Sequence, residues 1–294
     1  LRVLTTTEYQ DINLMDGTTY SYRLRARNVF GFSDYSNTVE VTTPKDTRVK
    51  ARFIQGMDGY DGTVDLEIRS SSPDSVFDGA DTMTVDMNDG GIVHGLLRFR
   101  NIFGSNDGQV PPDAEIEKAE IRIYTTGSTG EDISFYTMLT DWPVSCTWNM
   151  LGGDGISPDG SEASSSPVFV LESPSRGQYH YVDVTESVKA VQQGAGNYGW
   201  GMINSGTDGW DFATSENSIQ EHRPMLTVYY RLSGDLNRDG KIDRADVRII
   251  RRYLRKDLSQ CPECDMDGDG RITVMDARKI VLRCTYPRCM SSKP

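Results

Sequence analysis

Two twelve-residue stretches near the C-terminus carry the most legible chemistry in this chain. Asp235, Asn237, Asp239, Asp243 and Asp246 occupy positions 1, 3, 5, 9 and 12 of the first. Asp265, Asp267, Asp269, Thr273 and Asp276 occupy the same positions of the second. Each of these side chains carries an oxygen donor. Gly240 and Gly270 stand at position 6, where the chain must turn sharply, and Lys241 and Arg271 at position 7 offer a backbone carbonyl. A hard cation such as calcium takes about six to eight oxygen ligands in this arrangement, so the spacing predicts one calcium ion per loop. Asp246 and Asp276 replace the usual Glu at position 12 with a shorter carboxylate.

The elements that must position these loops are helices that follow them. Val247, Ile250, Tyr253 and Leu254 recur at helical spacing after the first loop, and Ala277, Ile280 and Val281 after the second. No amphipathic helix precedes either loop, as a full EF-hand would require. Two loop–helix units of this kind, 30 residues apart, closely resemble a dockerin of the cellulosome type over about residues 234–283. The resemblance implies a calcium-dependent domain that binds a cohesin, itself a β-sandwich. The partner-selecting positions would fall on Arg244, Ala245, Arg251 and Arg252, and on Val274, Met275, Val281 and Leu282. One set is basic and the other apolar, which predicts a single binding orientation, with Val281 packed inward.

The same resemblance places the two helices antiparallel, which bears on the cysteines. Of five, Cys261 and Cys264 sit near the second loop, and Cys284 and Cys289 beyond the last helix. A ten-residue helix is about 15 Å long, and a disulfide needs its Cα atoms within about 7 Å. Local pairs Cys261–Cys264 and Cys284–Cys289 are therefore expected, with Cys146 left over and buried. A tail returning along the helices would instead bring Cys289 to Cys261. Two local bridges suit an oxidising setting, outside the cell or at its surface.

The chain has 294 residues, enough for two or three domains, and a formal net charge of −12. The charge is uneven: residues 48–231 hold 12 Lys and Arg against 27 Asp and Glu, a net −15, whereas residues 232–294 hold 14 against 10, a net +4. An acidic middle argues against nucleic acid as a partner. No run of 18 apolar residues predicts a membrane-spanning helix. No export leader is visible, so any such signal is expected to be removed or to lie upstream.

Residues 48–231 read as one all-β domain. Alternating runs recur at Met83–Met87, Leu96–Arg100, Ile121–Tyr124, Ile133–Met138, Tyr179–Val184 and Met225–Tyr230. A helical exception starts at Thr185. The series Gly59-Tyr60, Asp65, Leu97-Arg98-Phe99, Ala119 to Ile123, Trp142 and Trp148, Val182 to Thr185, Asn197 to Gly201 and Arg223-Pro224 is similar in order to the DNRLRE-domain family, which overlaps carbohydrate-binding module family 96. That resemblance implies a jelly-roll, lectin-like module, with acidic polysaccharides such as alginate bound by some members. The net charge of −15 favours a neutral polysaccharide here. Sugar binding needs an exposed aromatic plate; Trp210, in a loop-like Ser-Gly-Thr-Asp-Gly context, is the first choice and Tyr60 the second, with Trp142 also considered and Trp148 and Trp200 assigned to the core. Asp61 and Asp65 could hold one structural calcium, and Glu216 with Arg223 is read as a structural salt bridge.

Residues 1–44 resemble the second half of a fibronectin type III domain, through Leu14, Tyr20, Tyr22, Leu24 and Ala26 and the small residues Gly31, Ser33 and Ser36. Half a sandwich leaves its apolar face open. An upstream segment or a second subunit is therefore expected to complete it.

Little supports an enzyme. The three histidines, His94, His180 and His222, have no metal-ligand spacing, and no nucleophile elbow, phosphate loop or dinucleotide fingerprint is present. Any catalytic domain would lie upstream of residue 1. The expected chain is therefore mainly β, with a partial fibronectin-like sandwich over 1–44, a jelly-roll sandwich over 45–232 and a small all-α calcium-binding dockerin domain over 233–294. It reads as the non-catalytic tail of a secreted protein that docks to a cohesin-type partner and carries a glycan module. The alternative is a subunit that self-associates in an extracellular filament or surface assembly.

Overall fold

The computed structural model describes residues 18–43, 48–88 and 90–290. The chain divides into two compact units after Arg48. Leu14 and residues 44–47 lie outside the described residues.

In the first unit, β1 (Thr19–Tyr22) pairs antiparallel with β4 (Val39–Thr42), and β2 (Arg27–Asn28) with β3 (Gly31–Phe32). Tyr20 and Tyr22 are half-buried, but Leu24 and Ala26 are exposed. Neither of these two-stranded sheets covers Leu24, Phe30, Val39 or Val41, all of which face solvent.

The second unit is a two-sheet sandwich continued by a small helical domain. Its strands are β5 (Val49–Ile54), β6 (Thr63–Arg69), β7 (Thr82–Val85), β8 (Val93–Phe99), β9 (Glu115–Gly127), β10 (Ile133–Thr137), β11 (Phe169–Leu171), β12 (Tyr179–Asp183), β13 (Trp200–Asn204), β14 (Trp210–Ala213) and β15 (Met225–Arg231). One sheet runs β11-β10-β13-β8-β6 and the other β5-β15-β9-β14-β7, with β12 also on β9, every pair antiparallel. The long β9 shows the strand period plainly: Ala119, Ile121 and Ile123 are buried between the sheets while Glu120, Arg122 and Tyr124 lie on the outer face. Phe99, Phe135, Trp200, Met202, Trp210 and Phe212 fill the space between the sheets.

A second core lies on the other face of the five-stranded sheet. Leu66, Ile68 and Leu96 are covered there by Met138, Trp142, Cys146, Trp148, Leu151 and Ile156. The segment from Met138 to Ala163 thus has a structural role, and Cys146 is free and buried within it. The predicted helix is present as α1 (Thr185–Gln192). Thr185 is its first residue and not its cap, because its hydroxyl binds the Asp183 carboxylate and the Ala119 backbone.

Beyond β15, α2 (Arg244–Tyr253) and α3 (Val274–Leu282) pack around Ile242, Ile250, Ile272 and Ile280. The disulfides are Cys261–Cys264 and Cys284–Cys289, the local pairing. This domain sits directly on the sandwich. The Arg283 guanidinium lies 3.1 Å from Asp113 and donates to Ser233 Oγ at 2.7 Å. A Cβ on Gly240 would meet Val49 at 2.9 Å.

Candidate metal centre, docking face and glycan cleft

Both acidic loops wrap around their first carboxylate. Asp235 accepts from the backbone N–H of Asp239 at 3.1 Å and Gly240 at 2.7 Å; Asp265 accepts from Gly268, Asp269 and Gly270 at 2.9, 3.2 and 2.9 Å. The turn needs left-handed backbone at position 6, and Gly240 and Gly270 supply it with φ of +83° and +82°. The isoleucine at position 8 anchors each loop. Ile242 exchanges hydrogen bonds with Thr285 beyond α3, and the Ile272 carbonyl accepts from Arg255 beyond α2. The two units therefore clasp each other, each loop tied to the chain leaving the other's helix.

The position-12 carboxylates close each loop onto its helix. Asp246 accepts from Leu236, Asn237 and Asp243 N–H at 2.8, 3.1 and 2.8 Å. Asp276 accepts from Met266, Asp267 and Thr273 N–H at 2.8, 3.2 and 2.7 Å, and from the Thr273 hydroxyl at 3.0 Å. Asp243 and Thr273 cap the helices reciprocally, so each helix begins with a capping box built from residues of the acidic loop. Burial, then the like charges of Asp246 and Asp239, push the Asp235 carboxyl up, and burial does the same to Asp246. Burial also opposes ionisation of Asp276, but its hydrogen bonds outweigh it and hold that carboxyl down. The first loop lies against β5, which accounts for its stronger desolvation.

The donor set fits the predicted cation. Asp265, Asp267 and Asp269 bring carboxylate oxygens within 4.8 Å of one another, with no sulfur or imidazole among them. The first loop substitutes the Asn237 amide, whose nitrogen donates to Asp239 at 2.9 Å and whose oxygen accepts from Asp239 N–H at 3.1 Å.

Among the expected partner positions, Arg244, Arg251 and Arg252 are exposed and Ala245 half-buried. Val274, Met275 and Leu282 are 68 %, 52 % and 74 % exposed. Val281 is exposed as well and not packed inward, because Ile280 takes the core position on α3.

The aromatic plate is corrected. Trp210 is fully buried, its Nε1 donating to Thr125 Oγ1 at 3.0 Å and its ring stacked on Phe212. It opens β14 opposite Val85, so the glycine-rich context that reads as a loop ends one residue earlier. Trp142, Trp148 and Trp200 are buried too, which leaves no tryptophan at the surface. Tyr60 is half-buried, donates to the Arg100 carbonyl at 3.0 Å and meets Phe53 edge-on. Burial pushes its hydroxyl well above the usual range. It lines an open cleft of about 410 Å³ with Lys50, Arg52, Asp58, Asp61, Asn101 and Asn106.

Two acid pairings are also corrected. Asp61 is exposed on that cleft, while Asp65 points between the sheets and accepts from Ser215 N–H at 2.9 Å. Burial and the neighbouring Glu216 carboxylate push Asp65 up to about 8. Arg223 does not meet Glu216. It donates to the Asn217 and Gln55 carbonyls at 2.8 and 2.9 Å and fastens the approach to β15 to the end of β5.

An outer-face cluster was not anticipated from sequence. His222 stacks on Tyr124 at 3.7 Å, Tyr179 meets Tyr124 at 5.0 Å, and Arg122 lies over Tyr179. Tyr124 and Tyr179 stand opposite each other on β9 and β12, a register that strand alternation alone does not reveal. These rings use their faces on one another, which makes them a poor plate for sugar.

A jelly-roll sandwich followed by two oxygen-lined loop–helix units defines a binding protein with a docking tail. The chain belongs to carbohydrate-binding module family 96, whose model matches residues 63–230. Residues 233–281 match the dockerin type I domain. Both are non-catalytic. The ulvan lyase, long isoform, of Alteromonas sp. (strain LOR) is 38% identical over 80 residues, 27% of this chain and 8% of that protein. The ulvan lyase, long isoform, of Pseudoalteromonas sp. (strain PLSV) is 35% identical over 80 residues, again 27% and 8%. The chain therefore spans less than a tenth of the length of these relatives. Among the described residues no helix is long and apolar enough to cross a membrane.

Proposed function

We propose that residues 233–294 bind two calcium ions and dock to a cohesin-type domain, while residues 45–232 hold a neutral polysaccharide at the Tyr60 cleft. The observation that carries the first half is the pair of loops closed on Asp235 and Asp265, each continuous with the capping box of the helix that offers its outer face. Calcium supplies the counter-charge for each ring of carboxylates. The ligands would be Asp235, Asn237, Asp239, Asp243, Asp246 and the Lys241 carbonyl, and Asp265, Asp267, Asp269, Thr273, Asp276 and the Arg271 carbonyl. Binding of immobilised chain to a panel of cohesin domains, with calcium and with chelator, tests this. Capture in both conditions, or in neither, refutes it.

The glycan reading rests on the cleft's combination of one aromatic ring with carboxylate, amide and cationic side chains. Trp210 has no part in it. The chain would act as a non-catalytic targeting module of a secreted polysaccharide-processing protein. Residues 1–44 would be half of a fibronectin type III sandwich.

A second reading, self-association in an extracellular assembly, is favoured by one observation: Leu24, Val29, Phe30, Phe32, Val39 and Val41 are all exposed in the first unit. Sedimentation of the chain over a range of concentrations separates the two. A concentration-independent monomer removes self-association.

A further inference from the structure

The inward face of β6 carries a row of polar side chains. Thr63, Asp65 and Glu67 stand opposite Phe99, Leu97 and Gly95 of β8, and all three are buried. Glu67 is satisfied: one oxygen meets Arg69 and the other accepts from Thr84 N–H at 2.9 Å. Its two neighbours are not. Asp65 is 5 % exposed; its Oδ2 takes the Ser215 N–H, but its Oδ1 has no hydrogen-bond partner. Thr63, 6 % exposed and on the same strand face, leaves its Oγ1 without a partner as well.

A second carboxylate, Glu216, lies beside Asp65, and Ser215 Oγ donates to it at 2.7 Å. Arg223, the guanidinium nearest in sequence, is committed to backbone carbonyls. No Lys or Arg forms an ion pair with Asp65 or Glu216 among the described residues. Buried carboxylates are ordinarily paired with a cation or coordinate a metal, because an uncompensated one is costly to remove from water. Here two acids converge, with an unpartnered hydroxyl two residues away on the same face.

We propose that Asp65, Glu216 and Thr63 bind a divalent cation, calcium by the chemistry of the donors, at the rim of the sandwich. All three ligands are oxygens, which suits a hard ion and disfavours zinc or copper. Glu216 is exposed, so the site opens to solvent, giving the ion an entry path and room for water to complete its shell. The ion would tie β6, the edge strand of one sheet, to the segment following β14 of the other. This site is separate from the loops of the C-terminal domain and does not depend on their reading.

Equilibrium dialysis of the full chain against calcium, followed by an ion count per chain, tests the proposal. Glu216→Gln and Asp65→Asn are each expected to bind one ion fewer than the unaltered protein. The double variant Asp235→Ala with Asp265→Ala is expected to retain one. Glu216 is exposed, so Glu216→Gln keeps the fold even where Asp65→Asn does not. An unchanged count in Glu216→Gln means that the two carboxyls merely share a proton, and overturns the proposal. So does a double variant that retains no calcium. If the docking loops alone fail to bind, the double variant instead matches the unaltered count.

Discussion

Asp267 and Asp276 belong to the same loop but have different work, and their alanine variants should separate calcium binding from folding. Asp276 is fully buried and accepts four hydrogen bonds, three from backbone N–H groups and one from Thr273 Oγ1. Truncating it removes the N3 half of the capping box while Thr273 stays as the N-cap, which costs part of the about 0.5–2 kcal/mol that a whole cap is worth. It also strips charge-assisted bonds from donors that cannot all reach water, at about 1–3 kcal/mol for each one left buried. Met266 and Asp267 lie nearer the open side of the loop, so a total of about 3 kcal/mol is expected for Asp276→Ala in chelator. Asp267 is exposed, and only its backbone joins the loop's hydrogen bonds. Asp267→Ala should therefore stay within about 0.5 kcal/mol of the unaltered protein in chelator. With calcium each loop of the unaltered chain gains about 4 kcal/mol when the free ion is a thousandfold above its dissociation constant. Asp267→Ala should forfeit most of the second loop's share. Denaturant unfolding followed by circular dichroism, with and without calcium, measures both terms. Equal losses for the two variants in chelator would refute the division of labour between ligand and cap.

Four further outcomes follow from the packing. His94 is held by burial at about 4 against an ordinary 6.5 and accepts from Ile156 N–H at 3.0 Å, so it stays neutral in the fold and protonates first on unfolding. Its contribution is intact above pH 6.5 and falls by about 3 kcal/mol as the pH drops to about 4; His94→Gln should flatten that part of a stability–pH curve. Trp210→Ala should lose about 3–5 kcal/mol of stability by leaving a cavity between the sheets, yet leave glycan affinity per folded molecule unchanged in affinity electrophoresis. Tyr60→Ala should abolish retention in the same gels. Replacing Cys284 and Cys289 by Ser should cost about 2 kcal/mol by the loop-entropy relation, read from the denaturation midpoint of the calcium-loaded chain.

The acidic loops were legible because their information is local. Oxygen-bearing side chains at positions 1, 3 and 5, a glycine at position 6 and a capping box at positions 9 and 12 all lie within twelve consecutive residues, and the covalent chain alone brings them together. The local disulfides follow from the same short distances. The sandwich was legible as a class through its alternating strands, but not its pairings. Asp208-Gly209 reads as a turn, and the turn does end there; the strand that buries the Trp210 indole starts at the next residue. Glu216 and Arg223 suggest a salt bridge by type, but the arginine lies where two backbone carbonyls converge, and Ser215 beside the glutamate donates to Asp65 on a strand 150 residues earlier. Such long-range registers leave no periodic trace. An apolar Val281 suggests an inward place, but Ile280 beside it fills that position.

The most direct test of a metal-ordered docking tail is an amide NMR spectrum of the full chain in calcium and in chelator. The N–H groups of Gly240 and Gly270 donate to Asp235 Oδ2 and Asp265 Oδ2 at 2.7 and 2.9 Å, so they report on each loop separately. Both resonances should move or broaden on chelation, together with those of Asn237 and Asp267, while the strand amides of β9 and β15 stay in place. A spectrum in which Gly240 and Gly270 are indifferent to calcium would contradict the account.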